Sequence, residues 1–321
     1  MINNYNFEQK FKLANITSMI VVLLSILMIL FKGLNFGIDF KGGTLMELRC
    51  DSTNIQISDV RSSFNQLDLG DINVKEFGKK GDFLIKFERK NFDDKISIKT
   101  IKEKVSNELQ GNVDFRRVEN VGPKVSKELL ESGLLAISLA LAAMLFYIWV
   151  RFEWQFSIGS IIAIFHDVLI TIGLFSLLSL EINLSIVAAV LTIVGYSMND
   201  TVVIYDRIRE NLIKYSSLKI GEISNKSINE TLSRTIITSS TTLLALISIF
   251  ILGGEILKGF SLAMIIGVII GTYSSIFVAS PILKYFNVSF KTISKEKENL
   301  SLIHISEPTR PLYISYAVFC L

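Results

Sequence analysis

Cysteine and histidine are scarce in this chain of 321 residues, which contains two of each. Cys50 and Cys320 are too few for a disulfide framework, and His166 and His304 do not form a cluster with metal-ligand spacing. Only four prolines interrupt the sequence, and two of them lie in its last 21 residues. We therefore expect no bound metal, no other cofactor and no disulfide-bonded secreted domain.

Long apolar runs dominate the sequence instead. Half of the residues are hydrophobic and the mean hydropathy is positive. A helix needs about 20 apolar residues to cross a bilayer core of about 30 Å. Six stretches qualify, at residues 13–31, 133–150, 157–180, 184–205, 236–252 and 260–283. The sequence therefore predicts a polytopic α-helical membrane protein with six transmembrane helices, the first being an uncleaved signal anchor because no small-x-small cleavage site follows it.

Lysine and arginine are unevenly distributed among the short loops, which predicts the orientation. If the N-terminal segment (1–12) is cytoplasmic, the inner segments hold thirteen basic residues, whereas the short outer loops hold only Lys258. The inner segments are 1–12, 151–156, 206–235 and 284–300, and the outer loops are 181–183 and 253–259. Both termini are therefore predicted to be cytoplasmic. The formal charge of +3 reflects this topology and does not indicate a nucleic-acid partner.

Residues 32–132, between the first two spans, are long enough to fold as one domain on the outer side. Their patterns predict strand 44–49, helix 57–67, strands 71–77 and 82–87, helix 95–109 and strand 113–118. This βαββαβ order is typical of a ferredoxin-like α+β domain, a fold that by itself names no function. The segment GIDFKGGTLMEL (37–48) lacks the GxGxxG and Walker patterns, so we interpret it as a turn that leads into the first strand.

The end of the chain changes in character. Residues 284–300 are highly charged and are predicted to form a cytoplasmic tail, whereas residues 301–321 contain two of the four prolines, one histidine and one cysteine. We interpret residues 301–321 as a non-native scar of cloning and leave them out of the fold prediction. A genuine amphipathic anchor is the alternative, and resequencing the 3′ end of the gene distinguishes the two.

Asp200 interrupts the fourth apolar run, in the sequence VGYSMNDTVVIYD (194–206). If that span ends at residue 205, the carboxyl lies about 8 Å inside the membrane edge at 1.5 Å per residue. Asp200 therefore needs a partner inside the protein, and its neighbours Asn199 and Thr201 are predicted to act with it in proton coupling. The helix has a polar sector within about 100° of Asp200. That sector comprises Thr192, Tyr196, Ser197 and Asn199. The alternative is a span that ends at Met198, which would leave residues 199–201 at the interface.

The third apolar run is also interrupted by polar residues, His166 and Asp167, which lie near the middle of the predicted span. An intramembrane aspartate costs about 2.5–3.5 kcal/mol on insertion scales, so Asp167 and Asp200 together cost roughly 5–7 kcal/mol. This cost favours a functional role in proton handling for His166 and Asp167. A neutral Asp167 that simply hydrogen-bonds a neighbouring helix is the alternative.

The fifth and sixth spans carry polar and small residues in helical register. Arg234, Thr238 and Thr241 lie at i, i+4 and i+7, a basic group above a stripe of hydroxyls that suits a hydrated path beside a carboxylate on an adjacent helix. Snorkelling of Arg234 to the membrane surface is the alternative. In the sixth span, four small residues at four-residue spacing predict close helix packing: Ala263, Gly267, Gly271 and Ser275.

Six segments of the chain carry the motifs of a known family. They are GIDFKGGTLMEL (37–48), VGPKVSKEL (121–129), HDVLIT (166–171), VGYSMNDTVVIYDRIREN (194–211), LSRTIITSSTTLL (232–244) and GFSLAMIIGVIIGTYSSIFVASPIL (259–283). In this order they resemble the SecF members of the SecD/SecF family of bacterial protein translocase subunits. The resemblance runs from about residue 6 to residue 290, and the sequence departs from the family at residues 301–321.

The resemblance implies a non-enzymatic subunit of the bacterial inner membrane whose six spans are similar to half of an RND transporter bundle. Such subunits pair with SecD, associate with the SecYEG channel and YajC, and use the proton motive force to drive preproteins outward after the ATPase SecA has acted. The resemblance places Asp200 and Arg234 where the family has membrane charges implicated in proton coupling, so protons are the implied coupling ion.

Two other functions remain compatible with the residues alone. One is an RND-type proton antiporter for small solutes. Such transporters usually have twelve pseudo-symmetric spans, whereas this chain has six spans and one outer domain. A partner chain would therefore have to supply the other half. The other is a scaffold that stabilises a channel without coupling. The scaffold predicts that the intramembrane charges tolerate neutral replacement.

Overall fold

Long helices and one small sheet make up the part of the chain that the computed structural model describes, which is residues 5–50, 55–67, 72–76, 80–87, 98–109, 113–290 and 292. In chain order the elements are α1 (Glu8–Lys32), β1 (Asn35–Phe36), α2 (Ile38–Lys41), β2 (Gly43–Cys50), α3 (Ile57–Asn65), β3 (Ile72–Glu76), β4 (Asp82–Phe87), α4 (Ile98–Glu108), β5 (Val113–Val121), α5 (Pro123–Arg151), α6 (Trp154–Leu177), β6 (Glu181–Ile182), α7 (Leu184–Lys214), α8 (Ile220–Leu252), α9 (Gly254–Ser274), a π-helical turn (Ser275–Ala279) and α10 (Ser280–Tyr285).

Six helical segments of the described chain are long and apolar enough to cross a membrane, namely α1, α5, α6, α7, α8 and the stretch Leu257–Tyr285. Each overlaps one of the six predicted apolar runs, but several helices extend well beyond the apolar residues. The segment 206–235, predicted as a loop, is mostly helical, because α7 continues to Lys214 and α8 already begins at Ile220. Hydropathy marks only the apolar part of a helix, whereas hydrogen bonds and packing decide where the helix ends.

The sheet domain consists of β2 to β5 with α3 and α4. Its strands lie in the antiparallel order β3-β4-β2-β5. Because side chains alternate across a strand, Phe83, Ile85 and Phe87 point to the same face and are buried there. Residues of α3 and α4, among them Phe64 and Val105, cover that face and complete one apolar core. The predicted strand 71–77 and helix 95–109 reach into residues 71, 77 and 95–97, which lie outside the described residues.

The helix bundle has an inner group and an outer group. The helices α6 and α7 and the stretch Leu257–Tyr285 bury about half of their apolar segments, whereas α1, α5 and α8 expose most of theirs. Among the exposed side chains of α5 are Leu139, Phe146 and Trp149. Such large apolar surfaces require lipid or another protein as cover.

The end of the bundle opposite the sheet domain, here called the basic end, is held by ion pairs. Arg151 pairs with Asp206 at 3.0 Å, and Arg209 pairs with the buried Glu153 at 3.1 Å. The N-terminal segment is fixed at the same end, because Asn229 on α8 bonds both the N–H and the C=O of Tyr5, at 2.9 and 2.8 Å. These contacts explain why α8 is ordered as a helix well before its apolar run starts.

The inner helices α7 and α9 pack through two glycines of the predicted small-residue seam. A Cβ on Gly267 would lie 2.3 Å from Cγ1 of Ile193, and a Cβ on Gly271 would lie 3.1 Å from Cβ of Ser197. Ala263 is also fully buried. The fourth residue of the seam, Ser275, instead begins the π-helical turn.

The π-helical turn interrupts the helix that the sequence predicts to be continuous over 260–283. Pro281 follows it and has no N–H to donate, which breaks the regular helical hydrogen bonding. The Ser280 hydroxyl donates to the Ser275 carbonyl at 2.9 Å, and the fully buried Tyr205 hydroxyl donates to the Ala279 carbonyl at 3.0 Å. Side-chain hydroxyls therefore add hydrogen bonds to carbonyls at both ends of the irregular turn.

We predict that Gly267→Ala lowers the thermal stability of the detergent-solubilised protein, by about 1–3 kcal/mol as for other overpacked sites. The matched control is Gly195→Ala on α7, where a Cβ would meet nothing within 4 Å and alanine favours the helix by about 1 kcal/mol. Adding Ile193→Ala to Gly267→Ala should recover part of the loss. Equal melting shifts for the two glycine variants would contradict the packing described here.

Candidate functional site

Asp167 on α6 is fully buried, and its carboxyl group contacts two other helices. Its Oδ2 atom accepts hydrogen bonds from the hydroxyl of Ser197 on α7 at 2.5 Å and from that of Ser274 on α9 at 2.7 Å. Its Oδ1 atom lies 2.8 Å from Nδ1 of His166. Because one carboxyl satisfies its bonds across three helices, it ties α6, α7 and α9 into one group, which we call the locked unit.

His166 extends this network towards α1. The side chain is 5% exposed, and its ring stacks on Tyr273 of α9 with centroids 6.2 Å apart. The Tyr273 hydroxyl donates to the Ala14 carbonyl at 3.0 Å and lies 3.0 Å from the Ser18 hydroxyl, which therefore acts as the donor in that contact. The Nε2 atom of His166 is buried and has no hydrogen-bond partner among the described residues.

Asp200 on α7 lies three residues beyond Ser197 and is 3% exposed. The hydroxyls of Ser239 on α8 and Thr272 on α9 lie beside its carboxyl group, and these two hydroxyls bond each other at 2.7 Å. Among the described residues, Oδ2 of Asp200 is buried without a hydrogen-bond partner. The Asp200 carboxyl is therefore under-satisfied, in contrast to that of Asp167.

Arg234 supplies the cation nearest to this site. It lies on α8, one to two turns before Ser239, with an exposed side chain. Its guanidinium is close enough to interact electrostatically with the Asp200 carboxyl. Arg234 and Asp200 thus lie on neighbouring helices, α8 and α7, and the described residues show no ion pair within 4.0 Å between them.

The polar residues near Asp200 on α7 do not all contact its carboxyl group. Asn199 and Thr192 are exposed, whereas Asp200 is buried. Thr201 is buried, but its hydroxyl donates to the Ser197 carbonyl of its own helix at 3.1 Å. Ser197 serves Asp167 and not Asp200. A sector of 100° is too wide, because it includes side chains on both sides of the interface with the next helix.

The hydroxyl stripe predicted on α8 does not line the Asp200 site either. Thr238 and Thr241 donate to carbonyls one turn earlier in their own helix. The buried face of α8 runs instead through Thr235, Ser239 and Leu246, at i, i+4 and i+11. The sequence analysis did not identify Ser239. It could have been found as the hydroxyl residue four positions after Thr235, on a different face of α8 from Thr238 and Thr241.

Two hydroxyls of α9 were also missed. Thr272 lies beside Asp200, and Ser274 bonds Asp167. Both stand in the run GTYSS (271–275), where hydroxyls are unusually dense for an apolar helix. That density was a usable signal, but which carboxyl each hydroxyl serves depends on the rotation of α9 against α6 and α7.

Comparison with protein families gives two matches. The family described as "Protein export membrane protein SecD/SecF, C-terminal" matches residues 100–289, and the "SecD/SecF GG Motif" matches residues 28–53. The protein translocase subunit SecF of Rickettsia bellii is 45% identical over 284 residues, which cover 88% of this chain and 93% of the relative. SecF of Cereibacter sphaeroides is 45% identical over 265 residues, covering 80% and 81%.

Two solved structures are similar to the whole fold. The crystal structure of SecDF, a translocon-associated membrane protein from Thermus thermophilus, superposes with a TM-score of 0.79 at 34% identity and covers 89% of this chain. A SecDF structure in a "super-membrane-facing form" gives a TM-score of 0.66 at 33% identity and covers 93%. The chain spans only 39% and 40% of those two SecDF chains.

We predict that removing both hydroxyls from Oδ2 of Asp167 unlocks the inner helices. Ser197→Ala and Ser274→Ala should each destabilise the protein by about 0.6–1.7 kcal/mol, the range of interhelical hydrogen bonds in membranes. The double variant should lose more than the sum, because a buried oxygen is then left without a partner. Thermal unfolding in detergent measures this, with Ser248→Ala on the exposed face of α8 as the control. If the double variant is as stable as the control, the hydrogen bonds to Oδ2 of Asp167 do not hold α6, α7 and α9 together.

Proposed function

Because this chain belongs to the SecD/SecF family of protein export membrane proteins, we propose that it is a SecF-type subunit of the Sec translocase that uses the proton motive force, with SecD, to promote preprotein export. The family membership supports the role in protein transport. The buried, under-satisfied carboxyl of Asp200 beside Arg234 is the observation that carries proton coupling. The coupled step follows the ATP-driven action of SecA.

A partner in the membrane is part of the proposal. The SecDF chains contain a region similar to this chain within a polypeptide more than twice as long. The exposed apolar faces of α1 and α5 suit cover by the helices of a second, SecD-type chain. The SecYEG channel, YajC and the translocating preprotein are further proposed partners, on the resemblance of the motifs alone.

The proposed setting is the bacterial inner membrane, crossed six times, with both termini in the cytoplasm. The basic end then faces the cytoplasm, in keeping with the positive-inside rule. The sheet domain faces the outside as a ferredoxin-like unit, supported by its βαββαβ element order and its strand order β3-β4-β2-β5.

In the proposed mechanism, Asp200 is the group that gains and loses the proton. Desolvation favours its neutral form, whereas an approaching cation or water favours the carboxylate. When ionised, Asp200 attracts Arg234 and draws the hydroxyls of Ser239 and Thr272 away from each other. The charge change therefore alters the contact of α8 with α7 and α9. Moving one charge through 100 mV releases about 2.3 kcal/mol, which is comparable to the free-energy difference between two helix arrangements.

His166 and Asp167 have a different proposed role in the same mechanism. Asp167 has hydrogen-bond partners on both oxygens, so it holds the locked unit together while α8 responds to Asp200. His166 keeps the Asp167 carboxyl oriented, and its free Nε2 offers a second position for a proton. Gly267 and Gly271 allow the close packing of α7 and α9 on which the lock depends.

The orientation is testable by thiol labelling. Lys104 on the sheet domain and Ser216 between α7 and α8 are both exposed. A cysteine at position 104 should react with a membrane-impermeant maleimide added to intact spheroplasts, whereas one at position 216 should react only after lysis. Labelling of position 216 in intact spheroplasts would overturn the orientation.

The proton-coupling proposal is tested by Asp200→Asn. Asparagine is nearly isosteric with protonated aspartic acid and forms similar hydrogen bonds, but it does not ionise. The variant should insert, assemble with SecD and remain stable, since it removes an insertion cost. In inverted vesicles it should keep ATP-driven translocation and lose the part that an uncoupler abolishes in the wild type. A normally assembled variant with undiminished gradient-stimulated translocation would favour the non-coupling scaffold.

Two further variants sharpen the same assay. Asp200→Glu keeps an ionisable group on a longer arm, so it should retain partial coupling. Arg234→Lys keeps the charge but loses the planar donor fork; if Arg234 acts on Asp200, coupling should fall, whereas snorkelling alone predicts no change. Wild-type coupling in Arg234→Lys would remove Arg234 from the mechanism.

A further inference from the structure

We propose that residues 35–43, here called the joint segment, fasten the sheet domain to the first turn of α7, and that Asp39 is the positioning residue of this joint. The consequence for transport rests on the proposed function, since it concerns how a change at Asp200 reaches the sheet domain. The geometry of the joint stands independently of that function.

The joint segment is paired with the connection between α6 and α7. Its strand β1 forms a parallel pair with β6, with Asn35 opposite Glu181 and Phe36 opposite Ile182. The Gly37 N–H then donates to the Ile182 carbonyl at 2.8 Å. A Cβ on Gly37 would lie 2.7 Å from Oε1 of Glu181, so a larger residue at this position would displace the Glu181 side chain.

Asp39 caps α7 from a distant part of the sequence. Its Oδ2 atom accepts a hydrogen bond from the N–H of Leu184, the first residue of α7, at 2.9 Å. The helix's own cap, Asn183, accepts from the N–H of Ile186 at 3.2 Å. The first N–H groups of a helix have no partner inside it, and a negative charge at that end is favourable. Asp39 therefore contributes both a hydrogen bond and a charge to α7.

Apolar contacts support the same joint. Phe36 and Phe40 meet edge to face with ring centroids 6.0 Å apart. Both rings pack against the core cluster that contains Ile182 and Ile186. The joint segment therefore presents its backbone, one carboxylate and two rings to the start of α7.

The other side of the joint belongs to the sheet domain. Lys86 on β4 forms an ion pair with Glu181, directly beside the β1–β6 pair. Gly42 and Gly43 connect the joint segment to β2 with φ angles of 82° and 140°, which L side chains rarely adopt. The Ser126 hydroxyl near the start of α5 lies 3.4 Å from the Ile38 carbonyl. The two glycines thus allow a sharp change of direction between a segment held on α7 and the first strand of the sheet.

These contacts attach the sheet domain to α7, so the two move together. The helix runs without interruption from Leu184 to Lys214, and Asp200 lies sixteen residues from its start, about 24 Å along the axis. Ser197 ties the middle of α7 to the locked unit through Asp167. When the locked unit moves relative to α8 or to a partner chain, Asp39 carries that displacement to the sheet domain, so Asp39 positions the domain without contacting the proton.

The test combines a distance measurement with the translocation assay. Cys50 and Cys320 are first replaced by alanine. Spin labels are then attached at Lys104→Cys on α4 and Leu178→Cys at the end of α6, both exposed positions. In the full chain with its partner, the distance between the labels reports the placement of the sheet domain on the bundle. Pulsed electron paramagnetic resonance should give a narrow distance distribution. Asp39→Ala should broaden it, because the N–H of Leu184 then loses its acceptor. Gradient-stimulated translocation should fall, with ATP-driven translocation intact.

Two variants control for loss of folding. Asp39→Asn retains an acceptor for the Leu184 N–H and should keep the narrow distribution and most of the coupling. Asp59→Ala removes an equivalent carboxylate, which accepts from the Gln56 N–H at 2.9 Å at the start of α3, but it does not touch the bundle. It should change neither the distances nor the coupling.

The outcomes separate this inference from the proposed function. If the distance distribution is unchanged in Asp39→Ala, Asp39 does not position the sheet domain on α7. If the distribution broadens but translocation still responds fully to the gradient, the attachment has no role in coupling. If the distances change as expected but the wild type shows no gradient response, the joint is supported and the proposed function is the part that fails.

Discussion

A carboxyl group buried among apolar helices must find its hydrogen bonds inside the protein, and this constraint shapes the whole bundle. Asp167 meets it with donors on α7 and α9 and with the adjacent His166. Because those donors must lie within about 3 Å of one carboxyl, the three helices have to approach closely. The glycine contacts between α7 and α9 make that approach possible. The close glycine packing and the buried carboxyl group therefore depend on each other.

The two aspartates have different surroundings in one membrane bundle. Asp167 has hydrogen-bond partners on both oxygens, so a displacement of its carboxyl group would break three contacts at once. Asp200, one turn from Ser197 along α7, has a buried oxygen without a partner and neighbours that bond each other. A group whose surroundings are already satisfied resists rearrangement, whereas a group with unused capacity can bind a proton or gain a donor with little loss elsewhere.

The sequence predicted those features that depend on one helix or one strand at a time. Apolar run lengths located the helices that can cross a membrane, alternation located the strands, and a carboxylate within an apolar run identified Asp167 and Asp200 as buried. What it did not predict depends on how helices face each other. Asn199 is adjacent to Asp200 in sequence yet exposed, and Ser239 lies beside Asp200 from another helix. Likewise, α8 starts at Ile220 because Asn229 binds the N-terminal segment, which no local pattern encodes.

The hydrogen bonds of α8 indicate which helix would move in the proposed mechanism, when the charge of Asp200 changes. Near the basic end, α8 is fixed to α7 by Ser227 and Glu230, which both bond Asn211, and to the N-terminal segment by Asn229. Near its middle, it contacts the inner helices through neutral hydroxyl pairs, Ser239 with Thr272 and Thr242 with Tyr196. Neutral hydroxyl bonds are weaker than charge-assisted ones, so in the proposed mechanism we expect the middle of α8 to separate from α7 and α9 before its basic end does. In the proposed mechanism, a pivot of α8 about the basic end therefore keeps the contacts of Asn211 and Asn229, and it leaves the locked unit and the sheet domain attached to each other.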